Sequence, residues 1–370
     1  MLRFQIILEK KPNSIGENMV YYINFLLLAI NSVGERVTKS KYFLFFDLAL
    51  LTMLAGFRGY HIGFDTYTYV YSYQSLLNHY GSIYGFEKGY VFLERVGAFF
   101  HLSPGIFLSC IAFVSIGFLI IGFSDLTPLV CSVLLYYYSR YFLSREMNQI
   151  RAALAAAVIL FSLRYVARGR LWEFVLCILC VSLIHKAAYM AIIIYPVNYF
   201  IWHRLKDKKK IIKLYVFTLI VAAVCSIVLS GQIAHLFSSM GESTYVETDP
   251  NSNNSQGLAN PIIFLQLIVS LLGLSYIVHD EMREQDQVMI TTYIISTLLL
   301  ILLSQHNTLA GRVSTLFATV EPVLVLRINN TIFKGKLSYA SFIVISLIIF
   351  HLCSVKSINT VDYTPYIMFF

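Results

Sequence analysis

The sequence predicts an all-α, polytopic membrane protein with about 12 transmembrane helices, each taking about 20 apolar residues to cross a bilayer. Three observations carry that expectation. The 370 residues are 58% hydrophobic and 13% charged, with a mean hydropathy of +0.69, against about 25% charged residues in soluble domains. The apolar runs are continuous rather than alternating, which reads as helix and not as barrel strand. Lipid offers the backbone no hydrogen-bond partners, so no third architecture is open. Lastly, lysines and arginines crowd into alternate short loops, as the positive-inside rule requires.

Taken in order, residues 1–18, "MLRFQIILEKKPNSIGEN", hold a short apolar piece and no small-residue cleavage site. Met19 opens the first span directly, so the chain is expected to start there, and N-terminal sequencing that finds earlier residues would refute this. Candidate spans lie near 20–34, 41–57, 104–122, 127–143, 150–167, 171–185, 187–202, 211–230, 261–279, 287–304, 312–328 and 337–354. The sixth and seventh are short enough to form one re-entrant pair. With the first span running outside to inside, the inner loops collect Arg36, Lys39, Lys41, Arg164, Arg168, Arg170, six basic residues of "HRLKDKKKIIK", Arg283, Arg327, Lys334 and Lys336, 16 of the 28 basic residues. The net charge of +8 then follows from topology and calls for no nucleic-acid partner.

Two outer loops are long. Residues 58–103 mix aromatics with Arg58, Asp65, Glu87, Glu94 and Arg95 at helical spacing, which predicts short amphipathic helices along the interface. Residues 231–260 contain "GESTYVETDPNSNNSQGLAN" and read as a flexible loop or lid. No internal repeat is present, and residues 1–370 read as a single membrane domain. The six cysteines lie in or beside apolar runs. Cys177 and Cys180 form a CxxC spacing without a histidine or carboxylate neighbour, so they read as packing residues, with no metal site and no disulfide framework.

Charges at the outer ends of spans are the informative residues, since charge is costly in lipid and marks function there. Arg58 and Asp65 flank "GYHIGF"; Arg140, Arg145, Asn148 and Arg151 surround "YFLSREMNQIR"; His185 and Lys186 stand in "SLIHKAAY"; Arg312 follows His306 in "QHNTLAGRVSTLF". Arginines from separate helices on one face suit a phosphate or diphosphate, because each planar fork binds two oxygens at once. The competing reading is that each snorkels to a headgroup or pairs with a neighbour. His185 is a general base, a diphosphate donor or a structural helix-end residue. Asp65 and Glu87 either activate an acceptor hydroxyl or hold Arg58 or Arg95 in an ion pair. Tyr67, Tyr69, Tyr71, Tyr73, Tyr136, Tyr137, Tyr138 and Tyr141 fit an interfacial aromatic belt and are compatible with a glycan platform.

The order of these signals resembles the EpsG-like branch of Wzy-type polysaccharide polymerases. The elements are Arg58, Gly63, Asp65 and Tyr69; Glu87, Gly89 and Tyr90 in "EKGY"; Asn148 and Arg151 in "NQIR"; His185 and Ala188 in "HKAA"; and Gly311 with Arg312. They cover residues 20 to about 330, and Ala152 stands where the family often has glutamine. The resemblance implies a helical bundle of GT-C type in the bacterial inner membrane, its active site facing the periplasm. It implies a glycosyltransferase that joins undecaprenyl-diphosphate-linked oligosaccharide repeats into O-antigen, capsule or exopolysaccharide, alongside a flippase and a chain-length regulator. On that basis Arg58, Arg145, Arg151, Arg312, Asn148, Tyr69 and Tyr90 would bind substrate, while Asp65, Glu87 or His185 would orient or deprotonate the acceptor. No cofactor is expected, since the sequence has neither an Asp-x-Asp motif nor a Gly-rich nucleotide loop.

Two rivals stand beside this reading. A flippase for the same lipid-linked repeats predicts a two-fold repeat and mid-membrane charge; only Glu321 beside Pro322 fits. A membrane acyltransferase that modifies the polymer needs a catalytic histidine, which His185 could supply. Loss of a polymerase leaves one repeat on the acceptor, loss of a flippase leaves none, and loss of an acyltransferase leaves polymer length intact.

Overall fold

A computed structural model describes residues 18–81, 84–205, 207–239, 257–279, 282–359, 363 and 366–368. The 231–260 loop falls largely outside them. Among the described residues the structure is helical apart from an isolated bridge between Arg58 and Met368. Five helices are long and apolar enough to cross a membrane: Pro104–Leu126, Ile150–Ala167, Lys208–Val228, Glu284–Leu302 and Gly335–Val355. A sixth span would be the pair Asn307–Ala318 and Glu321–Ile332, bent by 60°. Tyr42–Gly56, Leu171–Ser182 and Pro261–Tyr276 are apolar but shorter.

Several of the twelve expected runs therefore do not emerge as regular membrane-length helices, for local reasons. The first, Met19–Thr38, buries Asn24, Asn31, Glu35 and Arg36 on its inner face, which dilutes its apolar character. The run from 127 changes to a π-helical turn at Tyr138–Phe142. Residues 187–202 pass from a 3-10 segment, Lys186–Ile193, through a short α-helix, Ile194–Tyr199, into another π turn.

The chain forms two compact units, residues 1–154 with 333–370 and residues 155–332. In the first, Tyr42–Gly56 packs on Pro104–Leu126, and Met19–Thr38 packs on Val130–Tyr137. Pro104 begins its helix where its missing N–H costs nothing, behind an N-cap in which Ser103 accepts from the Ile106 amide at 3.4 Å. Val130–Tyr137 has no such cap of its own. Its first amides are met by the Glu35 carboxylate of another helix, which accepts from Val130 and Cys131 at 3.0 Å each. An anion at a buried helix N-terminus satisfies donors and the dipole together. Glu35→Ala is expected to destabilise the protein by about 2–3 kcal/mol and Glu35→Gln by roughly half of that, read as the thermal midpoint in detergent. Nearby, Asn31 donates to the buried Asp47 carboxylate at 2.5 Å.

Tyr136, Tyr137, Tyr138 and Tyr141 are buried core residues here rather than members of an interfacial belt. Tyr138 stacks on Phe350 at 5.8 Å and donates to the Tyr21 carbonyl at 2.8 Å. Tyr67 and Tyr71 stay exposed and stack on each other, as a belt would have them.

The second unit is held through hydroxyl groups on the mostly buried helix Glu284–Leu302. Thr291 accepts from the Trp202 indole at 3.0 Å and lies 3.2 Å from the Tyr215 hydroxyl. Thr297 meets Ser270 at 2.8 Å, and Ser296 donates to the Ser314 carbonyl. Between membrane helices, which lipid gives no hydrophobic reason to associate, such bonds and close packing supply the attraction. Glu321 is buried and accepts from Tyr293 at 2.9 Å.

Candidate functional site

The 58–103 segment builds the site of the first unit from two packed 12-residue helices, Thr66–Leu77 and Lys88–Phe99. The turn before them rests on the junction between Leu143–Arg145 and the helix that starts at Ile150. Gly63 makes this possible: its φ is +85°, and a Cβ there would run into the Met147 carbonyl. The junction in turn holds the turn, since the Asn148 side chain accepts from the Asp65 amide at 2.8 Å.

Arg58 is 1% exposed. Its Nε donates to Thr66 at 3.1 Å, Nη1 donates to the Ala55 carbonyl, and Nη2 has no hydrogen-bond partner. Burial lowers its pKa to about 10, opposed by Tyr366, Tyr363, Tyr69 and Glu146 close by, so it stays cationic at neutral pH. Arg145 stands over the Tyr141 ring at 4.5 Å. Glu146, wholly enclosed, accepts from Ser115 and Tyr137 at 3.0 Å each.

Arg151 occupies an aromatic cage. Its guanidinium lies 4.3 Å from the Phe86 ring and 5.8 Å from both Tyr69 and Tyr90, and it is paired with Glu87. The three rings touch one another at centroid distances of 5.3–5.7 Å. Arg151 and Glu87 keep 16% and 23% of their side chains exposed, so a ligand can reach the pair. The ion pair expected for Glu87 with Arg58 or Arg95 thus forms with Arg151, because the helix Lys88–Phe99 presents its N-terminus, not its exposed Arg95, to the cage.

Structure brings together eight of the residues singled out in the sequence: Arg58, Asp65, Tyr69, Glu87, Tyr90, Arg145, Asn148 and Arg151. His185 and Arg312 belong to the second unit, where the 3-10 segment after His185 packs on the helix bearing Arg312. Two members of the cluster were missed. Phe86 directly precedes the "EKGY" element and closes the cage. Glu94 lies one helical turn after Tyr90, is completely buried, and accepts from Ser72 at 3.2 Å through one oxygen while the other has no hydrogen-bond partner. The Tyr90 hydroxyl also lacks one. The turn-to-turn spacing from Tyr90 was the available signal.

Burial raises the Glu94 carboxyl to about 7, against the lowering effects of Ser72 and Arg151. A carboxyl whose folded pKa lies above its unfolded value binds its proton more tightly when folded. Stability from it is therefore complete below about pH 4.5 and is lost as pH rises towards about 7. Glu94→Gln is expected to remove that slope, gaining about 2 kcal/mol on wild type at pH 8 and little at pH 5, in denaturation series at the two pH values.

Apolar helices of membrane length, with a cage of cation, rings and carboxylate beside them, define an integral membrane protein carrying a polar site. The chain belongs to the EpsG family, whose model matches residues 41–368, the family that the ordered motifs resemble. It is similar to the amylovoran biosynthesis protein AmsC of Erwinia amylovora, with 27% identity over 343 residues that cover 85% of this chain and 88% of that protein. No solved structure matches.

Proposed function

We propose that the protein is a polysaccharide polymerase, a glycosyltransferase that joins undecaprenyl-diphosphate-linked oligosaccharide repeats on the outer face of the bacterial inner membrane. The observation that carries this reading is the caged, reachable guanidinium of Arg151, in the same unit as the buried Arg58 and Arg145. Membership of the EpsG family and similarity to a biosynthesis protein for a bacterial polysaccharide support it. The twelve-span topology and the GT-C-like bundle belong to the same proposal.

In the transfer, a hydroxyl of the incoming repeat attacks the anomeric carbon of the growing chain. The new carbon–oxygen bond forms as the bond to the lipid diphosphate breaks, and the electron pair leaves with the diphosphate. Fixed cations aimed at that leaving group stabilise its developing charge without reorganising. Arg151 is the contact residue in this scheme. Arg58, enclosed and already bonded to Thr66 and Ala55, acts through its field and by fixing the turn that carries Asp65. The acceptor proton passes to Asp65 or Glu87, and Tyr69 and Tyr90 flank Arg151 and shape the entrance.

The test is reconstitution of the purified protein in bilayers with undecaprenyl-diphosphate-linked repeats and no nucleotide. Products of two or more repeats per lipid are expected. Lipid-linked repeats that move between leaflets without lengthening would sink the reading in favour of a flippase.

A further inference from the structure

A cavity of about 480 Å³ opens within the second unit, in the size range of small-molecule sites. Its wall joins the C-terminal end of Ile150–Ala167 to the first turn of Glu284–Leu302, and Tyr195, Asn198, Tyr199, Trp202 and His203 form a helical stripe along one side. Three observations define its chemistry. Arg168 and Glu284 both line it, and neither makes an ion pair among the described residues. Asn198 is 7% exposed, yet its Oδ1 has no hydrogen-bond partner, so a donor from a ligand is what it lacks. The rings of Tyr199, stacked on His203 at 4.6 Å, and Trp202 line it as well, and aromatic rings attract cations.

We propose that this cavity binds the head group of a zwitterionic aminophospholipid. The phosphate sits at Arg168, and the ammonium donates to Asn198 Oδ1 and Glu284 beside the rings. An acid and a base that line one cavity without pairing fit a ligand with both charges better than a purely anionic one. Position selects a lipid over a free solute. The cavity lies where one apolar, membrane-length helix ends and another begins, with Arg168 in the turn that follows the first, and Trp and Tyr side chains favour the headgroup level.

The experiment is native mass spectrometry of the full chain, stripped of lipid in detergent and given phosphatidylethanolamine or phosphatidylglycerol of matched acyl chains. Retention of phosphatidylethanolamine is expected to exceed that of phosphatidylglycerol about tenfold. N198A and E284Q should bring that ratio close to one, R168Q should weaken both lipids, and free phosphoethanolamine should compete the lipid off. Glu284 is exposed, so E284Q keeps the test decisive if N198A does not fold. Equal retention of the two lipids by wild type, an unchanged ratio in E284Q, or retention that phosphoethanolamine cannot compete would each overturn the proposal.

Discussion

Replacing Arg151 by alanine is expected to abolish polymer formation while leaving folded protein in the membrane. Removing one preorganised donor to a developing negative charge costs about 10²–10³ in rate, and here the donor is also the reachable cation of the cage. The fold should tolerate the change, because Glu87 keeps 23% of its side chain exposed and solvent can take over its charge. Arg151→Lys should rescue little. An ammonium cannot present the planar fork that meets two phosphate oxygens, nor stack on Phe86 as a guanidinium does. The readouts are the polymer ladder in a deletion strain and the amount of protein in its membranes. Full-length ladders from Arg151→Ala would remove this residue from the mechanism.

Gly63→Ala is expected to have the second large effect, by a different route. A φ of +85° is strained for any side chain, and the added methyl would meet the Met147 carbonyl, which is backbone and cannot swing away. Together these should cost about 2–4 kcal/mol. The displaced partner is the junction that positions Asn148 and Arg151, so activity should fall more than the thermal midpoint suggests. The contrast is Gly81, also at positive φ (+82°) but with nothing near its Cβ position: Gly81→Ala should lower the thermal midpoint slightly and leave the polymer unchanged.

The all-helical class was legible because composition and unbroken apolar runs leave little else, and the cluster around Arg151 because arginine, asparagine and carboxylate at span ends break the pattern that lipid imposes. Other features were not legible, for reasons that particular residues make plain. Tyr136, Tyr137, Tyr138 and Tyr141 read as belt or glycan platform, and their burial in the core depends on which helices surround them. Glu35 falls just past the candidate span 20–34, and its use as a cap depends on a helix almost a hundred positions later, with no local trace. Glu87 and Arg151 are 64 residues apart, and nothing in either neighbourhood says that they meet. The run from 127 to 143 has the apolarity of a span, but periodicity does not register a π turn that adds one residue to a helical repeat.

The Arg151–Glu87 pair has a kinetic meaning of its own. An anion that takes the Nη1 of this guanidinium displaces a tethered carboxylate, and the same carboxylate stands ready to retake the position whenever the anion loosens. Part of the attraction is given up as affinity and returned as speed of departure. In the proposed reaction such a pair suits turnover rather than storage: the carboxylate covers the cation whenever no charged group is held there.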